Sequence, residues 1–228
     1  MFISDDISVF NEMTLEESHD DFDVESEFQR IMMLSPDSYS RKEYWDERYK
    51  KDQKNHMQFE WYRPWDFFIP HISTYLKCYG NVLNVGAGNS ALSFALLESG
   101  ASHVTSLDIS EIVIEHMKNV YKSENRLEWV IGDCRQMDFL DNSFDFIIDK
   151  GTMDAILCAY DGSRNAKSMF QEIYRVLKPG SQFVEIATSD KDKITKYLSK
   201  IKVNWILQEL VTIDDSSNSI YVFILEKQ

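Results

Sequence analysis

Asn81-Val82-Leu83-Asn84-Val85-Gly86-Ala87-Gly88-Asn89-Ser90 is the stretch on which the fold turns. Val82, Leu83 and Val85 read as a buried strand. Gly86 and Gly88 then permit a tight turn with close approach of a ligand to the backbone. Ala91-Leu92-Ser93-Phe94-Ala95-Leu96-Leu97 opens a helix whose first N–H groups are free and whose N-terminus carries partial positive charge. Val104-Thr105-Ser106-Leu107 is the next apolar run, and Asp108 stands at its tip, about 20 residues past Gly88. An open α/β sheet places a carboxylate there to accept both ribose hydroxyls of a nucleoside. Strand, glycine turn, helix, second strand and acid in this order point to an adenosine-containing cofactor.

Bulk composition fits an intracellular α/β protein. The chain has 228 residues, of which 43% are hydrophobic and 13% aromatic, enough for one domain with a packed core and an appendage. No apolar run approaches the roughly 18–20 residues of a membrane span. The start, Met1-Phe2-Ile3-Ser4-Asp5-Asp6, has neither the basic first segment nor the apolar core of a secretory signal, and it is too acidic for a mitochondrial transit peptide. A cytoplasmic protein without membrane attachment is expected. Cys78, Cys134 and Cys158 have no paired spacing, and the five histidines form no metal-binding motif, so no metal site is expected. Net charge is −14, which disfavours direct nucleic-acid binding and suits either simple solubility or steering of a basic protein partner.

Much of the negative charge precedes Arg30. Asp5, Asp6, Glu12, Glu16, Glu17, Asp20, Asp21, Asp23, Glu25 and Glu27 face almost no cations, so residues 1–35 read as a flexible acidic tail and residues 36–228 as the folded domain. Ser40-Arg41-Lys42-Glu43 has the form of a capping box. The helix it opens carries Trp45 and Tyr49 on one face, and Phe59-Glu60-Trp61-Tyr62 is a second aromatic cluster. These aromatics suit a hydrophobic staple on the core. They equally suit a lid over a cofactor with a wall for a cationic centre. Pro64 suits the first turn of a helix running to about Lys77, with Gly80 at its end.

From Asn81 onward strands and helices alternate. Strands are expected at 82–85, 104–107, 127–131, 144–148 and 182–187, with helices at 89–99, 110–122, 165–177 and 194–201. Two last β-rich stretches, 203–213 and 219–226, are joined only by the polar turn Asp214-Asp215-Ser216-Ser217-Asn218, which forces them antiparallel. The whole reads as a Rossmann-like, mostly parallel seven-stranded sheet closed by a C-terminal antiparallel hairpin. The glycine loop also satisfies GxGxxA, so a nicotinamide dinucleotide is a rival ligand. The terminal hairpin tilts the reading to S-adenosylmethionine instead.

Two further segments carry candidate chemistry. Gly132-Asp133-Cys134 follows the third strand, where an acid takes an adenine amino group or caps a turn. Asp149-Lys150-Gly151-Thr152-Met153-Asp154 ends the fourth strand, where such sheets carry active sites. Asp149 is the one candidate for a catalytic group. Lys150 could meet a cofactor carboxylate or the substrate, and Asp154 could cap a helix. A charged, solvated loop is the plain alternative.

Glu43-Tyr44-Trp45-Asp46-Glu47-Arg48-Tyr49, Glu60-Trp61-Tyr62, the glycine loop, Asp108 and Asp149-Lys150-Gly151-Thr152-Met153-Asp154-Ala155 together resemble the seven-strand, class I S-adenosylmethionine-dependent methyltransferases. More narrowly they resemble the group containing the elongation factor 1-alpha lysine methyltransferases, over roughly Tyr39 to Ala187. The resemblance implies cofactor contacts at Trp45, Tyr49, Trp61, Gly86, Asp108, Ile109, Asp133, Cys134 and Lys150, and Gly88 joins them from the loop reading. It implies transfer of a methyl group to a protein lysine, with elongation factor 1-alpha the implied partner. A small-molecule methyltransferase and a non-catalytic cofactor-binding protein are the alternatives. The Asn/Asp-Pro-Pro-Tyr/Phe motif with which amide and adenine N-methyltransferases grip a planar nitrogen does not occur.

Overall fold

A computed structural model of the chain describes residues 36–54, 58–77, 79–189, 191–215 and 218–228. The expected acidic tail, residues 1–35, lies outside the described residues. A 3-10 turn, Pro36–Ser40, leads into α1 (Lys42–Lys54) and α2 (Trp65–Ile72). Then follow β1 (Gly80–Val85), α3 (Leu92–Glu98), β2 (Ala101–Asp108), α4 (Glu111–Val120), β3 (Leu127–Ile131) and β4 (Phe144–Lys150). The chain continues through α5 (Thr152–Leu157), α6 (Gly162–Val176), β5 (Leu177–Ala187), α7 (Lys191–Lys200), β6 (Trp205–Asp215) and β7 (Asn218–Lys227).

The strands form one seven-stranded sheet in the order β3-β2-β1-β4-β5-β7-β6. β1 to β5 pair in parallel, and β7 inserts antiparallel between β5 and β6. The order reverses between β1 and β4, so their C-terminal ends open a crevice of the kind in which α/β sheets bind ligands. Both faces are covered. Val82, Phe146 and Ile148 pack with Phe68 of α2, Leu96 of α3 and Ile114 of α4. Leu83, Val85 and Ile147 pack on the other face with Met153 of α5 and Met169, Phe170 and Ile173 of α6. Neighbours in each strand alternate between these two cores, as a pleated strand buried on both faces requires.

Several boundaries depart from the sequence-based expectation for local reasons. α2 ends at Ile72 rather than near Lys77: it runs through Pro70, the Ser73 N–H still bonds the Ile69 carbonyl, and the chain then tightens into a turn in which the Tyr75 N–H bonds the Ile72 carbonyl. Asn89 and Ser90 belong to the glycine loop, and α3 begins only at Leu92. β5 begins at Leu177, before Pro179 and Gly180, because Leu177 already pairs with Phe144. Ser110 caps α4 as expected, its hydroxyl accepting from the Val113 N–H at 3.5 Å. The Ser40 hydroxyl instead donates to the Asp37 carbonyl at 2.7 Å and closes the turn before α1.

Candidate active site

A cleft opens at the C-terminal ends of β1, β2, β3 and β4, where α/β sheets of this kind take their ligands. Its floor is the turn after β1. Gly86 and Gly88 have φ of +59° and +55°, values that favour glycine strongly. The space beside them belongs to the protein. A Cβ on Gly86 would lie 1.9 Å from Thr152 Oγ1, and one on Gly88 would lie 3.0 Å from the Tyr49 hydroxyl. The glycines thus let α5 and α1 close on the loop, a packing reason that spacing alone did not reveal.

Asp108 sits at the end of β2 with 6% exposure. Its two oxygens accept the backbone N–H groups of Gly88 and Ser110, each at 2.9 Å. These bonds lock the carboxylate across the glycine loop and still leave lone pairs free. Burial pushes its pKa up to about 6 against the lowering by those bonds, and Asp46 raises it further. Asp46 is near because it accepts the Ser110 hydroxyl at 2.5 Å.

The wall outside the sheet is aromatic. Trp45 and Tyr49, one turn apart on α1, stack with ring centroids 5.8 Å apart, and Trp61 meets Trp45 edge-on at 6.1 Å. All three line the cleft, and Tyr49 is also part of the core. Tyr49 and Trp45 therefore serve packing and cleft wall together. Trp45 Nε1 donates to the Tyr39 carbonyl at 2.7 Å, fixing the ring. The Arg48 guanidinium lies 4.6 Å from the Phe59 ring centroid and 5.3 Å from that of Trp61.

Gly86, Gly88, Asp108, Ile109, Asp133, Cys134 and Lys150 line the same cleft, so the structure brings together all ten residues singled out from sequence as cofactor contacts. Two are engaged otherwise than their sequence suggested. The Asp133 carboxylate is gripped by Arg135, whose Nε and terminal nitrogen lie 2.7–3.0 Å from its oxygens. That partner holds its pKa down against burial. Lys150 is buried, and its three protons go to Glu60 Oε2 at 2.6 Å and the carbonyls of Trp61 and Arg63 at 3.1 and 3.2 Å. An ammonium has three donors, so none is left for a ligand. The Cys134 thiol is buried, and burial pushes its pKa up.

Asp149 stands behind the cleft wall rather than on it. It is fully buried, and its oxygens accept the N–H groups of Thr152 at 3.1 Å and Met153 at 2.9 Å, capping α5. Burial raises its pKa to about 6. Asp154 accepts the Tyr62 hydroxyl at 2.5 Å and the Thr188 N–H at 2.8 Å. Glu60 was quoted only as part of an aromatic cluster, yet it binds the start of α3. Its oxygens accept the Ser90 hydroxyl and the Ala91 N–H, both at 2.7 Å. Glu185 on β5 was also missed, although a charge at an inward position of an otherwise apolar strand is a signal of its own.

Among the described residues no group of three or more His, Cys, Asp or Glu side chains is arranged to hold a metal ion. Among them, too, no helix is long and apolar enough to cross a membrane.

Residues 82–180 match the family described as "Methyltransferase domain". The fold is that of solved methyltransferases: the magnesium protoporphyrin IX methyltransferase of Synechocystis PCC 6803, solved with bound S-adenosylmethionine, has a TM-score of 0.62 at 13% identity, covering 85% of this chain and 98% of that one. A TehB-like S-adenosylmethionine-dependent methyltransferase of Corynebacterium glutamicum has a TM-score of 0.55 at 16% identity, covering 82% and 98%. The chain thus carries a stretch that matches a methyltransferase domain, within the fold of the class I S-adenosylmethionine-dependent methyltransferases. Within that class it is 29% identical over 197 residues to EEF1A lysine methyltransferase 4 of Mus musculus, covering 83% of this chain and 76% of that protein. It is 32% identical over 203 residues to the eEF1A lysine and N-terminal methyltransferase of Danio rerio, covering 86% of this chain and 29% of that longer protein.

Proposed function

We propose that this methyltransferase transfers the methyl group of S-adenosylmethionine to a lysine ε-amine of a folded protein, and that the protein is translation elongation factor 1-alpha. The observation that carries the substrate is the likeness to EEF1A lysine methyltransferase 4, which spans 76% of that relative's length. A cytoplasmic site of action follows from that substrate. Residues 36–228 are proposed as the catalytic domain, since every element of sheet and cleft falls within them.

The cleft residues fit the cofactor. Asp108 has lone pairs to spare for ribose hydroxyls, in a carboxylate already aligned by Gly88 and Ser110. Ile109, Asp133 and Cys134 are proposed to border the adenine. Trp45, Tyr49 and Trp61 supply apolar and π surface for the cationic end. When bound, the cofactor supplies a methyl group already activated on a sulfonium. The protein's task is then alignment and exclusion of water. The target amine has to arrive neutral, and desolvation in an aromatic-walled cleft lowers its pKa from about 10.4. Asp149 serves this chemistry by holding α5, since both its oxygens already accept backbone N–H groups.

The test is transfer of labelled methyl from S-adenosylmethionine into purified elongation factor 1-alpha, with acid hydrolysis of the product. Label recovered as methyl-lysine supports the reading. Label that enters only small metabolites overturns it in favour of a small-molecule methyltransferase, and binding without any transfer overturns it in favour of a non-catalytic protein.

A further inference from the structure

Residues 58–64, just ahead of α2, form neither helix nor strand, and their side chains divide by position. Phe59 and Trp61 line the cleft, while Glu60 and Tyr62 bond to the protein. Glu60 reaches three places at once. It takes Lys150 of β4 at 2.6 Å, the Ser90 hydroxyl at 2.7 Å and the Ala91 N–H at 2.7 Å. Its carboxylate therefore joins the aromatic segment, the glycine loop and the end of the fourth strand. Lys150 completes the junction from below, donating to the carbonyls of Trp61 and Arg63, which flank Tyr62. Tyr62 has φ of +64°, a region that bulky side chains seldom occupy unless their surroundings impose it. The Lys150 side chain is 4% exposed and that of Glu60 is 25% exposed, so water screens the pair only in part.

We propose that Glu60 and Lys150 form a clasp that seats Trp61 against the glycine loop, making Glu60 a positioning residue for cofactor binding and Lys150 a residue that acts through Glu60 rather than on the cofactor. The proposal rests on the reading of the cleft as the cofactor site. It reassigns Lys150, which as a lone cation at a strand end invites a role as partner of the cofactor carboxylate. The two roles differ in consequence. If Lys150 held the cofactor directly, freeing it from Glu60 would leave binding intact or tighten it. If it is half of a clasp, losing either partner has the same effect.

The experiment is calorimetric titration of the full chain with S-adenosylhomocysteine, alongside thermal melting and hydrogen exchange, for wild type, Glu60→Gln, Lys150→Met, the double variant and Lys150→Arg. The clasp requires at least tenfold weaker binding in Glu60→Gln and in Lys150→Met, with the double variant no worse than either. It also requires faster exchange at residues 58–63 while β1 and β4 stay protected, a KM for cofactor that rises more than kcat falls, and partial recovery in Lys150→Arg. Glu60→Gln that binds within twofold of wild type overturns it, as does loss confined to Lys150→Met. Should Glu60→Gln not fold, Glu60→Asp decides, because it keeps the charge and withdraws it from Lys150 and Ser90 by one methylene. Two- to fivefold weaker binding is then expected, and unchanged binding overturns the clasp. A folded wild-type chain that does not bind the ligand at all refutes the cofactor site instead, which keeps the two failures apart.

Discussion

Asp149 and Glu185 are register partners on the parallel strands β4 and β5, both wholly buried and on the same face of the sheet. Among the described residues neither Glu185 oxygen has a donor partner, and the charges of Asp149 and Asp154 add to burial in raising its pKa well above the ordinary carboxylate range. A proton on Glu185 resolves the conflict, since a neutral carboxyl can donate to Asp149 while Asp149 keeps accepting from α5. Burial and the neighbouring charges thus favour a proton shared within this pair under the start of α5.

Glu185→Gln should accordingly be tolerated or mildly stabilising at pH 8. The amide keeps the shape, donates a hydrogen bond to Asp149 and removes an acid that stays protonated only at a cost. Glu185→Ala should destabilise by about 2–4 kcal/mol through the cavity it leaves. Chemical denaturation of both variants at pH 8 checks the difference in sign.

Stability should rise as pH falls from 8 towards about 5. Asp108 and Asp149 have folded pKa values of about 6 against 3.8 when unfolded, so the folded state binds more protons between those limits. Each costs on the order of 3 kcal/mol above pH 6, a cost relieved on the way down to about 4. Below that, Asp133, Asp145 and Glu172, held low by Arg135, Lys178 and Arg175, become protonated and their contribution is lost. A melting series from pH 3 to 8 should pass through a maximum on the acid side of neutrality. A maximum at pH 8 would contradict the burial of these carboxylates.

Cofactor binding should run the other way. Replacing Asp108 with Ala removes charge-assisted bonds worth about 1.5–3 kcal/mol each, so affinity for S-adenosylhomocysteine should fall at least about tenfold. In wild type, affinity should decline as pH drops through about 6, where Asp108 takes up its proton. Titration calorimetry at pH 5, 6 and 8 reads both effects.

Gly86→Ala should be severely destabilising. The φ of +59° is unfavourable for alanine, and the new Cβ would collide with Thr152 Oγ1. A loss of about 2–4 kcal/mol is expected. Gly180→Ala is the control: its φ is +75°, yet nothing lies within 4 Å, so only the backbone term of about 1–2 kcal/mol should appear. Denaturant midpoints of the two variants separate packing from conformation.

The first four parallel strands were legible because each is a short apolar run with a glycine or an acid at or beside its end, and those ends coincide with the crevice. Asp108 and the glycine loop were legible for the same reason. The helix α5 was not: six residues from Thr152 to Leu157 are too few to display a helical period after the Asp149-Lys150-Gly151 turn. Nor could spacing show that Lys150 meets a carboxylate 90 positions earlier. An isolated cation at a strand end looks like a ligand contact until its protons are accounted for. Gly86 and Gly88 were recognised for the turn they make, but the pressure of Thr152 and Tyr49 upon them is tertiary and left no local mark.

Mass spectrometry of purified elongation factor 1-alpha, after incubation with the full chain and S-adenosylmethionine, tests the central claim most directly. The expected result is one or more added methyl groups on a defined lysine, absent with Asp108→Ala and poor on a short peptide bearing the same lysine. An unmodified elongation factor 1-alpha, alongside robust methylation of another protein or of a metabolite by the same preparation, would contradict the assigned substrate.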